Sequence, residues 1–144
     1  MKLDECLEKG LIRKASPSPE KATNSIALAE HKLELCQSEF DAGIYEGAFI
    51  SAYSAMFHAA RALLFRDGFK EQSHYALYIY IKEKYGSKLE MKYISELNSL
   101  RSIRHNVLYG NPEDVTPREV LEAEAESALK TAAGFISAAK KLLQ

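Results

Sequence analysis

Arg104 stands where an apolar residue would be expected. On a helical wheel at about 100° per residue, Tyr93, Leu97, Leu100, Val107 and Leu108 fall on one side of a predicted helix, and Arg104 falls in the middle of that stripe. A guanidinium on an apolar row must snorkel, pair with an acid, or face a cleft or a partner. Arg101 lies near one edge of the stripe, His105 a little beyond it, and Asn106 and Tyr109 well off it. Arginine is the side chain best suited to forked contact with phosphate oxygens, which makes Arg104, with Arg101 and Tyr109, a candidate ligand site. An internal ion pair that holds a neighbouring helix is the other reading, and the pattern leaves both open.

A second group lies in residues 47–65. Ser51, Ser54, His58 and Arg61 share one helical face there, so His58 and Arg61 converge with Arg104 if the two helices are neighbours. His58 reads either as a hydrogen-bonded core residue or as a base. His31, His74 and His105 sit in unrelated contexts, and no second ligand has a metal-site spacing, so no metal is expected. Between residues 82 and 104, six basic side chains stand against three acids, a local excess of +3. Each lysine alone fits a solvated helix surface, but together with Arg104 they offer a phosphate somewhere to bind. Gly-rich phosphate loops, nucleophile elbows and paired carboxylates are absent, so no familiar enzyme motif or cofactor is implied.

The helices that must position these residues are marked by their caps. Leu3, Leu7, Leu11 and Ile12 predict a short leading helix within residues 2–14, weakened or ended by Gly10. Ser18 and Pro19 start a helix to about Ala42, with Ile26, Ala29, Leu33, Cys36 and Phe40 as its apolar row. The run from Gly47 to Phe65 carries one formal charge, Arg61, and is the helix that the others must wrap. It is apolar enough to suggest a membrane span, but Arg61, His58, Ser51 and Ser54 would be costly in lipid, so a buried central helix is expected. Gly47, Ser51, Ala55 and Ala59 recur every fourth position and allow close approach of another helix. Asp67-Gly68 should end the run, and the two long helices should pack antiparallel.

Ser73 should cap a shorter helix over 74–85 that carries Tyr75, Tyr78, Tyr80 and Tyr85, a set that reads as packing or as a base-stacking surface. Ser87 and Glu90 form a capping-box pattern for a helix to about Leu108, which Asn111-Pro112 cannot continue. Thr116, Pro117 and Glu119 mark the start of a last helix to the C-terminus. No segment alternates long enough to be a convincing strand. The expected fold is all-α: an antiparallel up-and-down bundle of four long or medium helices plus a short accessory helix.

Length and charge narrow the classes. The 144 residues make one domain, 1–17 as leader helix and linker and 18–142 as the bundle, large enough to need no disulfide or metal staple. A net charge of −1 gives no global basic field, so a nucleic-acid partner must be met by a local patch. Cys6 and Cys36 lack a Cys-x-x-Cys spacing, and early charge at Glu8 and Lys9 interrupts any export signal, which points to the cytoplasm.

Three stretches together resemble the HEPN family over residues 18 to 142: Ala-Tyr-Ser-Ala-Met-Phe-His-Ala-Ala-Arg-Ala-Leu-Leu at 52–64, the following Gly68 and His74, and Leu-Arg-Ser-Ile-Arg-His-Asn-Val-Leu-Tyr-Gly at 100–110. The likeness is to its small stand-alone subgroup, often encoded beside a minimal nucleotidyltransferase. It implies a helical bundle that forms a homodimer, a toxin-antitoxin-like pairing, and, in active members, RNA cleavage at a site spanning the dimer. Those members carry Arg, four to six residues, then His. After Arg104 the corresponding positions hold Tyr109, Gly110 and Asn111. The resemblance therefore implies nucleotide or RNA binding before cleavage. A divergent metal-independent ribonuclease would need His58, His105 or Tyr109 beside Arg104 as acid or base. A purely structural partner, with Arg104 in an internal ion pair, is the third reading.

Overall fold

A computed structural model describes residues 1–144. In chain order the elements are α1 (Leu3–Glu8), β1 (Ile12–Lys14), α2 (Pro19–Asp41), α3 (Tyr45–Asp67), β2 (Phe69–Glu71), α4 (His74–Tyr85), α5 (Met91–Tyr109) and α6 (Glu122–Leu143). The fold is an all-α bundle with one small antiparallel ribbon, β1–β2, in which Arg13 faces Lys70.

α3 is the core helix because small and apolar residues surround it: twelve of its side chains, from Ala48 to Leu64, are buried. Its 18-residue window of mean hydropathy 1.3 would suffice by composition to cross a bilayer, but 67% of that window is buried inside the bundle. The small-residue row faces α2. Ser51 donates to Glu39 at 2.5 Å, Cys36 to the Ala48 carbonyl at 3.1 Å, and Ser25 to the His58 carbonyl at 2.6 Å. A Cβ on Gly47 would meet the Glu39 carboxylate and make that side chain swing off Ser51.

α2 begins as its sequence predicts, with Pro19 in the first turn and Ser18 accepting from the Lys21 N–H at 3.1 Å. α3 ends at Gly68, whose φ of +87° closes the helix in the left-handed conformation. Tyr45 lies beside Glu122, and Arg66 donates to the Leu142 carbonyl, so α3 and α6 run parallel. α2 runs against both: Glu30 meets Lys140 at 3.1 Å, and Pro19 shares a cavity with Leu143. α5 runs against α3, its C-terminal Arg104 lying over Tyr53 near the start of α3, and α4 packs against both α5 and the ribbon.

Four local expectations are corrected. The leading helix stops at Glu8 because Gly10, at φ +72°, turns the chain, and residues 12–14 pair as β1 with Ile12 alone pointing into the core. This ribbon also overturns the expectation of no strand. α5 starts at Met91 rather than at the Ser87 cap, because the Tyr85 carbonyl takes the N–H groups of Lys88 and Leu89 in a turn that buries Leu89. α6 starts at Glu122 rather than after Thr116. The Thr116 hydroxyl and N–H both go to Asp114, at 2.6 and 3.1 Å, and Glu124 instead accepts the Leu121 N–H at 3.1 Å and the Arg118 guanidinium. Local polar competition removed both predicted caps.

The first residues are bound along the chain they precede. Leu3 N–H donates to Glu83 at 2.6 Å, Gln72 N–H to the Leu11 carbonyl at 2.7 Å, and Ala15 N–H to the Gly68 carbonyl at 2.9 Å. Residues 12–14 are thus paired with residues 69–71 beyond α3.

Candidate functional site

α5 divides at Leu100. Ile94, Leu97 and Leu100 are buried, and no residue from 101 to 109 is. The apolar stripe of the sequence therefore packs only in its first half: Val107 is half-buried and Leu108 is 42% exposed. Arg104 falls in the second half, half-buried against α3, with its guanidinium 5.5 Å above the Tyr53 ring. Arg101 lies 5.2 Å over Tyr75 of α4, its Nε and Nη2 donating to Asn98 at 3.2 and 2.9 Å. Neither arginine is in an ion pair; the five pairs in the fold involve other residues. The fork of Arg104 is free to meet an anion.

Beneath the arginines lies an aromatic stack. Tyr53 is 1% exposed, and its hydroxyl is 2.8 Å from His74 Nδ1. The His74 ring is parallel to Phe57, 4.1 Å away at 18°, and to Tyr53, 5.7 Å away at 21°. Ser73 fixes this geometry by capping α4 through the Ala76 N–H, which places His74 as the first helical residue. With Nδ1 held by Tyr53, Nε2 is the ring nitrogen left for a ligand.

The electrostatics follow from packing cations together. Burial, then the nearby Arg104, Arg101 and Arg61, lower the His74 pKa below the ordinary imidazole value. Burial, then Arg61, Lys32 and His74, lower His58 to about 4. Tyr53 is pushed up to about 12 by burial, with Arg104 and Arg101 opposing. Two neutral histidines thus sit beside cations drawn from α2, α3 and α5.

This constellation sits inside a recognised domain. A family model described as HEPN domain matches residues 22–142. The chain belongs to the HEPN domain family. A relative from Methanocaldococcus jannaschii, named "Putative toxin MJ0605", is 29% identical over 125 residues, covering 83% of this chain and 86% of the relative.

The HEPN chain separates the residues singled out from sequence. α3 and α5 do pack together, which sets Arg104 over Tyr53, while Arg101 shares the α5 face of Arg104 through its i,i+3 spacing. Arg61 is engaged elsewhere: its Nε is 2.8 Å from buried Glu71, and its guanidinium lies over Phe57 and Phe65 at 5.5 and 5.0 Å. His58 is half-buried, its ring edge-on to Phe57 at 5.3 Å and its Nδ1 without a partner. His105 and Tyr109 lie on the exposed tip of α5, rings 4.8 Å apart, with Tyr109 66% exposed. No three His, Cys, Asp or Glu side chains converge.

Sequence reasoning missed Tyr53 and the role of His74, which it placed in an unrelated context. Tyr53 lies inside the apolar run 47–65, and no spacing links it or His74, at the start of the 74–85 helix, to Arg104. The Ser73 cap places His74 at the start of α4, but which neighbour its ring meets is set by the packing of α4 on α3.

Proposed function

We propose that this HEPN domain binds a nucleotide or RNA through its phosphates, as the toxin-type member of a toxin-antitoxin-like pair. The observation that carries the reading is Arg104: a half-buried guanidinium on the uncovered half of α5, without a carboxylate partner, above the Tyr53–His74 pair. A positive field with a free fork suits phosphate oxygens, and Arg101 adds a second cation on the same face. The toxin assignment draws on the name of the archaeal relative. Ile44, Leu108, Tyr109, Val115 and Leu121 are exposed where α3 and α6 begin and α5 ends, an apolar end that suits a homodimer in the cytoplasm. A nucleotidyltransferase partner is proposed from the likeness to the stand-alone subgroup alone.

Titration with AMP and with a short RNA tests the reading. Arg104→Ala should weaken binding of both by tenfold or more while leaving thermal stability near that of the parent protein. A variant that binds normally but melts lower would make Arg104 a structural residue and the protein a scaffold.

One observation favours a second reading, a divergent ribonuclease: the Tyr53 hydroxyl and His74 form a proton-sharing couple beside Arg104. Cleavage of structured and unstructured RNA lost in both Arg104→Ala and His74→Ala would establish it. Equal background for parent and variants would leave binding alone.

A further inference from the structure

The four tyrosines of α4 separate into two pairs with different surroundings. Tyr80 and Tyr85 are buried, and both hydroxyls donate to Asp67, at 2.8 and 2.6 Å. They are structural. Tyr75 and Tyr78 are half-buried on the outer face, with ring centroids 5.9 Å apart. Each meets a cation instead of an acid. Arg101 lies 5.2 Å from the Tyr75 ring, and Lys82 lies 5.9 Å from the Tyr78 ring. Residues 75, 78 and 82 follow one another at helical spacing along a single stripe, so the order on the surface is Arg104, Arg101, Tyr75, Tyr78, Lys82. The nearest acid in sequence, Glu83, is turned away to accept the Leu3 N–H.

We infer that this ledge on α4 is a stacking platform for single-stranded RNA, whose bases lie on Tyr75 and Tyr78 while Arg101 and Lys82 hold the flanking phosphates. The inference rests on the phosphate reading of Arg101 and Arg104 and names what continues from that phosphate. Alternating π faces and cations match the alternating bases and phosphates of a single strand. A duplex hides its base faces, so the ledge discriminates against it. A stacking platform is indifferent to which base it meets, so the preference is for strandedness over sequence. An acidic peptide would satisfy the two cations and leave both rings without a partner.

The test uses the full chain with a uridine-rich octanucleotide, the same backbone without bases, a duplex of equal length, polyglutamate, and AMP. The parent protein should bind the base-bearing single strand at least tenfold more tightly than the abasic strand, the duplex or polyglutamate. Tyr75→Leu with Tyr78→Leu should lose roughly tenfold per ring for the single strand. Its affinity for AMP at Arg104 should be unchanged. Tyr75→Phe with Tyr78→Phe should bind as the parent does, because stacking needs the ring and not the hydroxyl. If the leucine variant does not fold, photocrosslinking of an iodouridine-substituted octanucleotide to the parent chain decides, with adducts expected on Tyr75 or Tyr78. Adducts confined to other residues, leucine variants that bind RNA normally, or equal affinity for abasic strand or polyglutamate would each overturn the ledge. A protein that binds AMP but no RNA overturns the ledge and keeps the phosphate site. A protein that binds neither overturns both.

Discussion

Arg61 and Arg104 are both half-buried arginines in this fold, yet they should fail in opposite ways. Glu71 is 9% exposed, its Oε1 is ion-paired with Arg61 Nε at 2.8 Å without hydrogen-bond alignment, and its Oε2 has no partner. Arg61→Ala leaves that carboxylate buried and uncompensated. Breaking a fully buried pair costs about 3–5 kcal/mol, and since the Arg61 side chain is 25% exposed, water reaches the site and reduces this to about 2–3 kcal/mol. Loss of the guanidinium from the faces of Phe57 and Phe65 is included in that figure. For a domain of this size, such a loss lowers Tm by roughly 6–12 °C. Calorimetry of Arg61→Ala, Glu71→Gln and the double variant reads the effect directly. The double variant should recover about 1–2 kcal/mol relative to the sum of the singles, because it removes the stranded charge. Arg104→Ala should melt within about 2 °C of the parent, having no acid to strand. An Arg61→Ala protein that melts like the parent but no longer binds AMP would refute the division of labour between the two arginines.

Two further perturbations test the packing around the site. The folded state keeps His58 neutral, with a pKa of about 4 against an ordinary 6.5, so the unfolded chain binds the extra proton between those values and stability falls as pH drops from about 6.5 toward 4. His74 shifts the same way, while Glu124, held at about 2, loses its contribution only below the ordinary carboxylate range. Urea unfolding at about pH 7 and about pH 5 should differ by on the order of 1 kcal/mol, after allowing for the half-exposure of the ring. The slope should flatten in His58→Gln, and an unchanged slope there would assign it elsewhere. Gly68→Ala places a Cβ at φ +87°, 2.9 Å from the Ala15 carbonyl oxygen and 3.0 Å from Pro17. It should cost about 2–3 kcal/mol, or roughly 6–12 °C in Tm, and a shift under about 2 °C would mean that the leader yields without penalty.

The architecture was legible in the sequence because it is written in periodicity and punctuation. Ser18-Pro19, Asp67-Gly68 and Ser73 each act within a few residues, and α2, the end of α3 and α4 fall where those residues place them. The caps that failed, at Ser87 and Thr116, were outbid by groups the pattern does not rank: the Tyr85 carbonyl in one case, Asp114 in the other. β1–β2 was invisible because three-residue strands have too little alternation to register, and their pairing joins segments far apart in the chain. Arg104 stood out as a charge on an apolar row. Its setting did not, because Tyr53, Phe57 and His74 meet it only through the contact between α3, α4 and α5. Arg61 shows the reverse: a helical face aligned it with Arg104, but Glu71 arrives from beyond the turn and captures it.

The leader carries a load for this arrangement. The family match begins at residue 22, whereas the hydrogen bonds from Leu3, Leu11 and Ala15 reach Glu83, Gln72 and Gly68, bracketing the short segment on which both Glu71 and His74 ride. The ribbon therefore ties the segment that carries Glu71 and His74 to a strand, β1, that lies outside the matched residues 22–142. A chain trimmed to residues 22–142 would keep Arg61, Arg101 and Arg104 but lose Arg13 and the whole of β1, leaving the segment that carries Glu71 and His74 without its strand partner.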